Sequence, residues 1–229
     1  MSISRNSSQR GIGVAAVPAE GPGPYPADGS NGPDVLLDAA VVRSDIRSSF
    51  GPYAGVAPGV SMTLRLWLRD LGRGGATGAG MAVYVWHCDR DGRYSLYDGG
   101  VADQNYLRGV QVADANGGIT FTSVFPACYA GRWPHIHFEV FDSLGSAMAR
   151  EPARLTSQIA LPRPACQAVY AFDPGYARSL AELAHVSLET DKVFRDGWNT
   201  ELATVVGTPA EGLRISLTVG VAPSRPTRT

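Results

Sequence analysis

Strict alternation between Val60 and Arg69 constrains this chain more than any other feature. Val60, Met62, Leu64, Leu66 and Leu68 alternate with Ser61, Thr63, Arg65, Trp67 and Arg69. Side chains along a strand point to opposite faces in turn, so the pattern predicts a half-buried β-strand. The same period returns in Leu213, Ile215, Leu217, Val219 and Val221, set against Arg214, Ser216, Thr218 and Gly220. With Leu202 to Val206, that run predicts a hairpin closing across Thr208 to Gly212. Further strands are expected at Met81 to Trp86, Gln104 to Val112, Ile119 to Val124, along the stretch through His137 to Phe141, and at Leu155 to Leu161. Short strands at even spacing, with turn residues between them, argue for an all-β, single-domain β-sandwich rather than a βαβ fold. Leu71 to Gly80 and Asp142 to Pro152 read as loops. Between Pro164 and Ala184 the character changes, and good helix formers with helical apolar spacing predict one or two short helices in the C-terminal third.

Composition sets the boundaries and excludes several classes. Residues 1–33 are rich in Gly, Pro, Ser and Ala, and read as an irregular, partly disordered arm. Residues 34–222 form the expected body, and 223–229 a flexible tail. At 44% hydrophobic the 229 residues suffice for one sizeable core. A net charge of −1 gives no electrostatic footprint for nucleic acid. No run of about 18 apolar residues predicts a membrane span. Met1 to Arg10 is polar and no apolar stretch suited to a leader follows, so the chain as given reads as cytoplasmic; an export signal outside it would make it secreted. A homo-oligomer is left open. Cys88, Cys128 and Cys166 do not have zinc spacing; they read as small buried hydrophobes, with a Cys128–Cys166 bridge as the alternative.

The chemistry concentrates in Phe125 to His137. On a strand starting after Pro134, His135 and His137 share one face while Ile136, Phe138 and Val140 share the other, which reads as the core side. Two imidazoles on one face suit a metal, but a strand with two hydrogen-bonded histidines gives the same pattern. Two tyrosines raise the stakes. Tyr129 lies just upstream, and Tyr94 follows the Asp91-Gly92 turn, with Tyr97 as its local rival. Phenolate is a hard anionic donor and suits a hard trivalent cation better than zinc. A zinc hydrolase built on the same histidines would lack a third ligand and the helical His-Glu-X-X-His pattern. His87 and His185 read as structural and peripheral. Arg108 and Gln111 read as sheet-edge hydrogen-bonding residues.

In order along the chain, Arg43-Ser44-Asp45-Ile46, Val85 to Asp89 with Gly92 to Ser95, Tyr106 to Gln111, Asp114 to Gly117, Phe125 to Val140 and Thr156-Ser157-Gln158 resemble the intradiol ring-cleavage dioxygenases, the family of catechol and protocatechuate dioxygenases. The resemblance covers roughly Val35 to Tyr170. It implies the family's β-sandwich, with Fe(III) held by Tyr94, Tyr129, His135 and His137 and balanced in charge by two phenolates and a hydroxide. It implies that Tyr129 leaves the metal when substrate binds, that Arg132 faces the substrate ring, and that Gln158 lies beside the metal. The implied reaction takes a small aromatic diol and O2 to a muconate-type dicarboxylic acid. A binding or scaffold module of the same family without turnover is the alternative. One departure stands out: only Ala130 to Pro134 separate Tyr129 from His135, fewer residues than the catechol and protocatechuate enzymes generally carry. That predicts either an open site or one covered by the arm, where Tyr25 would be the anchor.

Overall fold

The structure, a computed structural model, describes residues 13–223; the start of the arm and the end of the tail, on which parts of the expectations above fall, lie outside them. Among the described residues nine strands form two sheets: β1 (Ser61–Asp70), β2 (Ala76–Thr77), β3 (Ala82–Trp86), β4 (Arg108–Val112), β5 (Gly118–Val124), β6 (His135–Phe141), β7 (Leu155–Ala160), β8 (Thr204–Thr208) and β9 (Gly212–Val221). The first sheet runs β2-β1-β9-β8, with β5 also paired to β1, and the second runs β4-β3-β6-β7. The alternation in β1 translates directly into burial, with Met62, Leu64, Leu66 and Leu68 inside and Ser61 and Arg65 exposed. These side chains meet Ile215 and Val219 of β9 and Val83, Val85, Ile136, Phe138 and Ile159 of the second sheet in the main core. Each such side chain contributes about 1.5–3 kcal/mol when fully buried.

The second sheet is buried on both faces, which simple alternation did not anticipate. Every residue of β3 and β6 is buried. Tyr84 and Trp86, on the face away from the main core, pack with Ala27, Val35, Leu36 and Val41 from the N-terminal segment in a second, smaller core. The histidine face of β6 therefore lies inside the protein rather than in solvent.

Among the described residues three α-helices follow or interrupt the strands: α1 (Leu144–Met148), α2 (Arg163–Phe172) and α3 (Ala177–Leu183). The α2–α3 unit fixes the chain ahead of Tyr129. Tyr170 donates to the Pro126 carbonyl at 3.0 Å, Tyr176 to the Phe125 carbonyl at 2.6 Å, and the Cys128 amide donates to Ser179 Oγ at 3.1 Å. Local differences from the expected elements have local causes. β4 starts at Arg108, not Gln104, because Leu107 has a left-handed φ of 59° that breaks the ladder. The Leu71 to Gly80 loop holds a 3-10 turn capped by Asp70 and the short β2. The loop after β6 carries α1, capped by Ser143. All three cysteines are buried and unbonded, so no Cys128–Cys166 bridge forms. Among the described residues no helix is long and apolar enough to cross a membrane.

The arm crosses both sheets. The Val17 amide donates to the Gly220 carbonyl of β9 at 3.0 Å, and the Glu20 amide to the Thr156 carbonyl of β7 at 2.7 Å. Gly21 to Pro26 then pass over the histidine face. Arg108 holds them there: it is 1% exposed and donates to the carbonyls of Tyr25 and Pro26, to the Tyr84 hydroxyl and to Ser95. Its expected place at a sheet edge is right by topology, but its bonds fasten the arm.

Candidate metal centre

A buried strand, the turn after another strand and a short connection converge on one point. The turn after β3 is organised by Asp89, fully buried, whose carboxylate accepts the amides of Asp91 and Arg93 at 2.9 Å each. Gly92 takes φ 82°, and a Cβ there would lie 3.3 Å from the Tyr129 Cβ, so only glycine turns the chain this tightly against its neighbour. Tyr94, two residues on, is thereby aimed inward. Tyr129 comes from the segment that α2 and α3 hold, and His135 and His137 share one face of β6.

Five of the six separations among the four donor atoms are close contacts. Tyr94 Oη lies 3.1 Å from Tyr129 Oη, 3.4 Å from His135 Nε2 and 3.2 Å from His137 Nε2. Tyr129 Oη is 3.3 Å from His135 Nε2, and the two Nε2 atoms are 3.1 Å apart. Separations of that length are what donor atoms about 2 Å from one shared ion would have. Tyr97 is elsewhere: its hydroxyl accepts the Ala27 amide and donates to Asn31.

Each imidazole is oriented differently. The His135 Nδ1 meets the Trp133 carbonyl at 2.5 Å, which puts its proton there and leaves the Nε2 lone pair facing the cluster. His137 has no hydrogen-bond partner at Nδ1. It is held by stacking instead, with Trp86 at 4.9 Å and 9° and Tyr84 behind Trp86 at 5.0 Å.

Electrostatics select the guest. Burial raises the Tyr94 phenol well above its usual range, and Tyr129 likewise. Burial, then the Arg132 charge, push His135 down to about 3; burial, then His135, hold His137 well below the usual imidazole range. Four neutral donors thus face one another, and only a cation of high charge would turn both phenols into phenolates. The donor set fits ferric iron by hardness and charge. Among the described residues no cluster of three or more His, Cys, Asp or Glu side chains suits a metal, so the histidine pair lacks the third ligand a zinc hydrolase would use.

Arg132 and Gln158 stand beside the cluster. Arg132 is 7% exposed; its Nη2 donates to Gln158 Oε1 at 2.5 Å and its Nε to Asp191 Oδ2 at 2.9 Å. Gln158 pairs across the ladder with His137 and reaches the Gly21 carbonyl of the arm at 3.4 Å. The arm covers the site where the connection to His135 is short. Tyr25 packs on Tyr94 at 4.8 Å, and Gly23, at φ 73°, approaches so closely that a Cβ would stand 3.2 Å from His137 Cε1. Tyr129 remains half-buried at the edge of this cover. The other histidines stay out of the site. His87 bridges the Cys88 carbonyl and Ser123, and His185 is exposed. Sequence reasoning missed Asp191 and the Trp86 stack: Asp191 lies outside every recognised motif, and Trp86 lies inside one, Val85 to Asp89, that marked the family without marking a contact to His137.

Comparison with known proteins follows the same lines. A family profile described as Dioxygenase matches residues 30–171. Chlorocatechol 1,2-dioxygenase from Rhodococcus opacus is 36% identical over 78 residues, 34% of this chain and 30% of that protein, so the chain matches less than a third of that curated relative. An intradiol ring-cleavage dioxygenase from Tetranychus urticae shares the fold at TM-score 0.71 and 23% identity, over 93% of this chain and 98% of that one. The dioxygenase domain of a dioxygenase carbohydrate-binding protein fusion from Streptomyces sp. SirexAA-E does so at TM-score 0.56 and 22% identity, over 91% and 99%. With the profile spanning more than half of its length and two sheets arranged as in these structures, the chain belongs to the intradiol ring-cleavage dioxygenase family.

Proposed function

We propose that this protein is a non-haem ferric dioxygenase that cleaves a small catechol-type diol between its two hydroxylated carbons, with O2, to a muconate-type dicarboxylic acid. The observation that carries the reading is the convergence of Tyr94, Tyr129, His135 and His137, with donor atoms 3.1–3.4 Å apart, in a buried site of a family member. Ferric iron held by these four donors would supply Lewis-acid activation of the bound diol toward O2.

The remaining roles belong to the chain. Tyr94 is fully buried and pinned between Tyr25 and the cluster, so it is the fixed phenol. Tyr129 is half-buried and free of any backbone tether on its hydroxyl, so it is the phenol that can swing aside and take a proton from a diol hydroxyl at its Oη. Arg132 presents a permanent positive charge where negative charge grows on the ring oxygens. Gln158 holds Arg132 and faces the same space. The arm excludes water from above, which strengthens each of these interactions.

The test is direct. Protein loaded with ferric iron should bind it stoichiometrically, show a visible tyrosinate-to-iron charge-transfer band, and take up O2 in the presence of catechol. Tyr94→Phe and Tyr129→Phe should each weaken or shift the band. An unchanged band in both variants would refute the ligand assignment. Iron binding with no O2 uptake on any catechol would leave a binding module in place of an enzyme.

A further inference from the structure

We propose that Asp191 is a positioning residue of this site: its carboxylate aims the Arg132 guanidinium and, through the Trp133 peptide, the His135 ring. The inference rests on the ring-cleavage reading above and deepens it. Asp191 is 0% exposed and belongs to the irregular stretch between α3 and β8, beyond the residues that the family profile matches.

Its two oxygens face different partners. Oδ1 accepts the amides of Val193 at 2.8 Å and Phe194 at 3.3 Å, which fix the carboxylate to its own loop. Oδ2 reaches across to the segment before β6, accepting Arg132 Nε at 2.9 Å and the Trp133 amide at 2.7 Å. Four donors fill the lone-pair sites of one carboxylate, so it has no freedom to turn.

Two consequences follow for the site. A guanidinium is planar, and this one is gripped at Nε by Asp191 and at Nη2 by Gln158, 2.5 Å away. Two fixed points on a plane set its direction, and the remaining N–H groups are aimed without further ordering when a diol arrives. The second consequence runs through the backbone. The amide that Asp191 holds belongs to Trp133, whose carbonyl takes the His135 Nδ1 proton. A single carboxylate thus orients the charged side chain, 59 residues away in sequence, and, through the Trp133 amide 58 residues away, one of the imidazoles.

The experiment uses Asp191→Asn, Arg132→Met and the double variant in the iron-loaded protein, with folding checked by circular dichroism. Asn keeps the shape but places an NH2 among four N–H donors, so at least one grip is lost. An interaction realised as charge develops lowers kcat and kcat/KM together. Asp191→Asn should therefore reduce both on catechol by about 100-fold, the scale of losing one preorganised donor. The double variant should lose well under the product of the two single losses, because Asp191 acts mainly through Arg132 and only its share through His135 remains once Arg132 is gone. Additive losses would overturn the proposal, since a purely structural Asp191 damages the protein whether or not Arg132 is present.

A second measurement does not depend on turnover or on the Asp191 variant folding. In the metal-free, 15N-labelled wild type, the Arg132 Nε–H signal, assigned by its disappearance in Arg132→Met, should be protected from solvent exchange. A freely exchanging signal would overturn the grip. Wild-type protein that cleaves no catechol would defeat the ring-cleavage reading instead, and the exchange measurement would still decide whether Asp191 holds Arg132.

Discussion

At the scale of single residues, buried polar groups carry the consequences. Glu201 is fully buried; one oxygen accepts Ser157 Oγ at 3.1 Å and the other has no partner. Burial raises its carboxyl to about 8. Below about pH 4.5 the group is protonated in both folded and unfolded chains; between about 4.5 and 8 only the folded chain keeps the proton. Stability contributed by this residue is therefore lost as pH rises through that window, and levels off above it. Glu201→Gln, neutral at every pH, should remove that slope and raise Tm at pH 9 relative to wild type by roughly 3 °C or more, on a scale of 2–4 °C per kcal/mol for a chain of this size. Melting curves at pH 6 and pH 9 check it. The clustered residues were legible only in part from local pattern: His135 and His137 are two apart on a strand, but choosing Tyr94 over Tyr97 and joining Tyr129 to the set rested on the family resemblance. Asp191 was not, since nothing in Thr190-Asp191-Lys192 marks it and its partners are brought to it only by the tertiary fold.

At the scale of elements, β1 and β9 were legible because one face of each meets the core and the other meets solvent or a polar neighbour. β6 was legible only in part. The core side carried by Ile136, Phe138 and Val140 is as expected, but the histidine side is also covered, and only the docked arm explains that. Arg108 is the fastening that sequence pattern did not show. Its guanidinium satisfies carbonyls at Tyr25, Pro26 and Ser95. Arg108→Met would strand these acceptors, at about 1–3 kcal/mol for each that stays buried. It should lower Tm and make the segment between Glu20 and Pro26 a preferred site of limited proteolysis, while α2 and α3 stay intact. Equal protection of the arm in variant and wild type would show that Tyr25 packing alone holds it.

At the scale of the whole molecule, net charge is close to zero and the charges near the site are already matched. Arg132, buried beside the cluster, is paired with Asp191. Burial and then Asp196 raise the Glu20 carboxyl, against the lowering effect of Arg132, so acidic groups gather on the Arg132 side of the arm. A ring carboxylate would meet them with its partner cation taken. Catechol should therefore exceed a catechol bearing a ring carboxylate in kcat/KM by about tenfold or more, a difference of about 1.4 kcal/mol. Steady-state kinetics on the two compounds decide it.

The arm's route has a further consequence for how the protein is made. Its anchor at Val17 is the Gly220 carbonyl, about two hundred residues later in synthesis, whereas all four donors are present once His137 has emerged. The arm's first tether, at Val17, therefore forms only with the last strand in place, whereas Arg108, which holds Tyr25 and Pro26, is made before His137. The segment that carries Tyr129 is also fastened late, because its partners Tyr170, Tyr176 and Ser179 follow His137 in the chain.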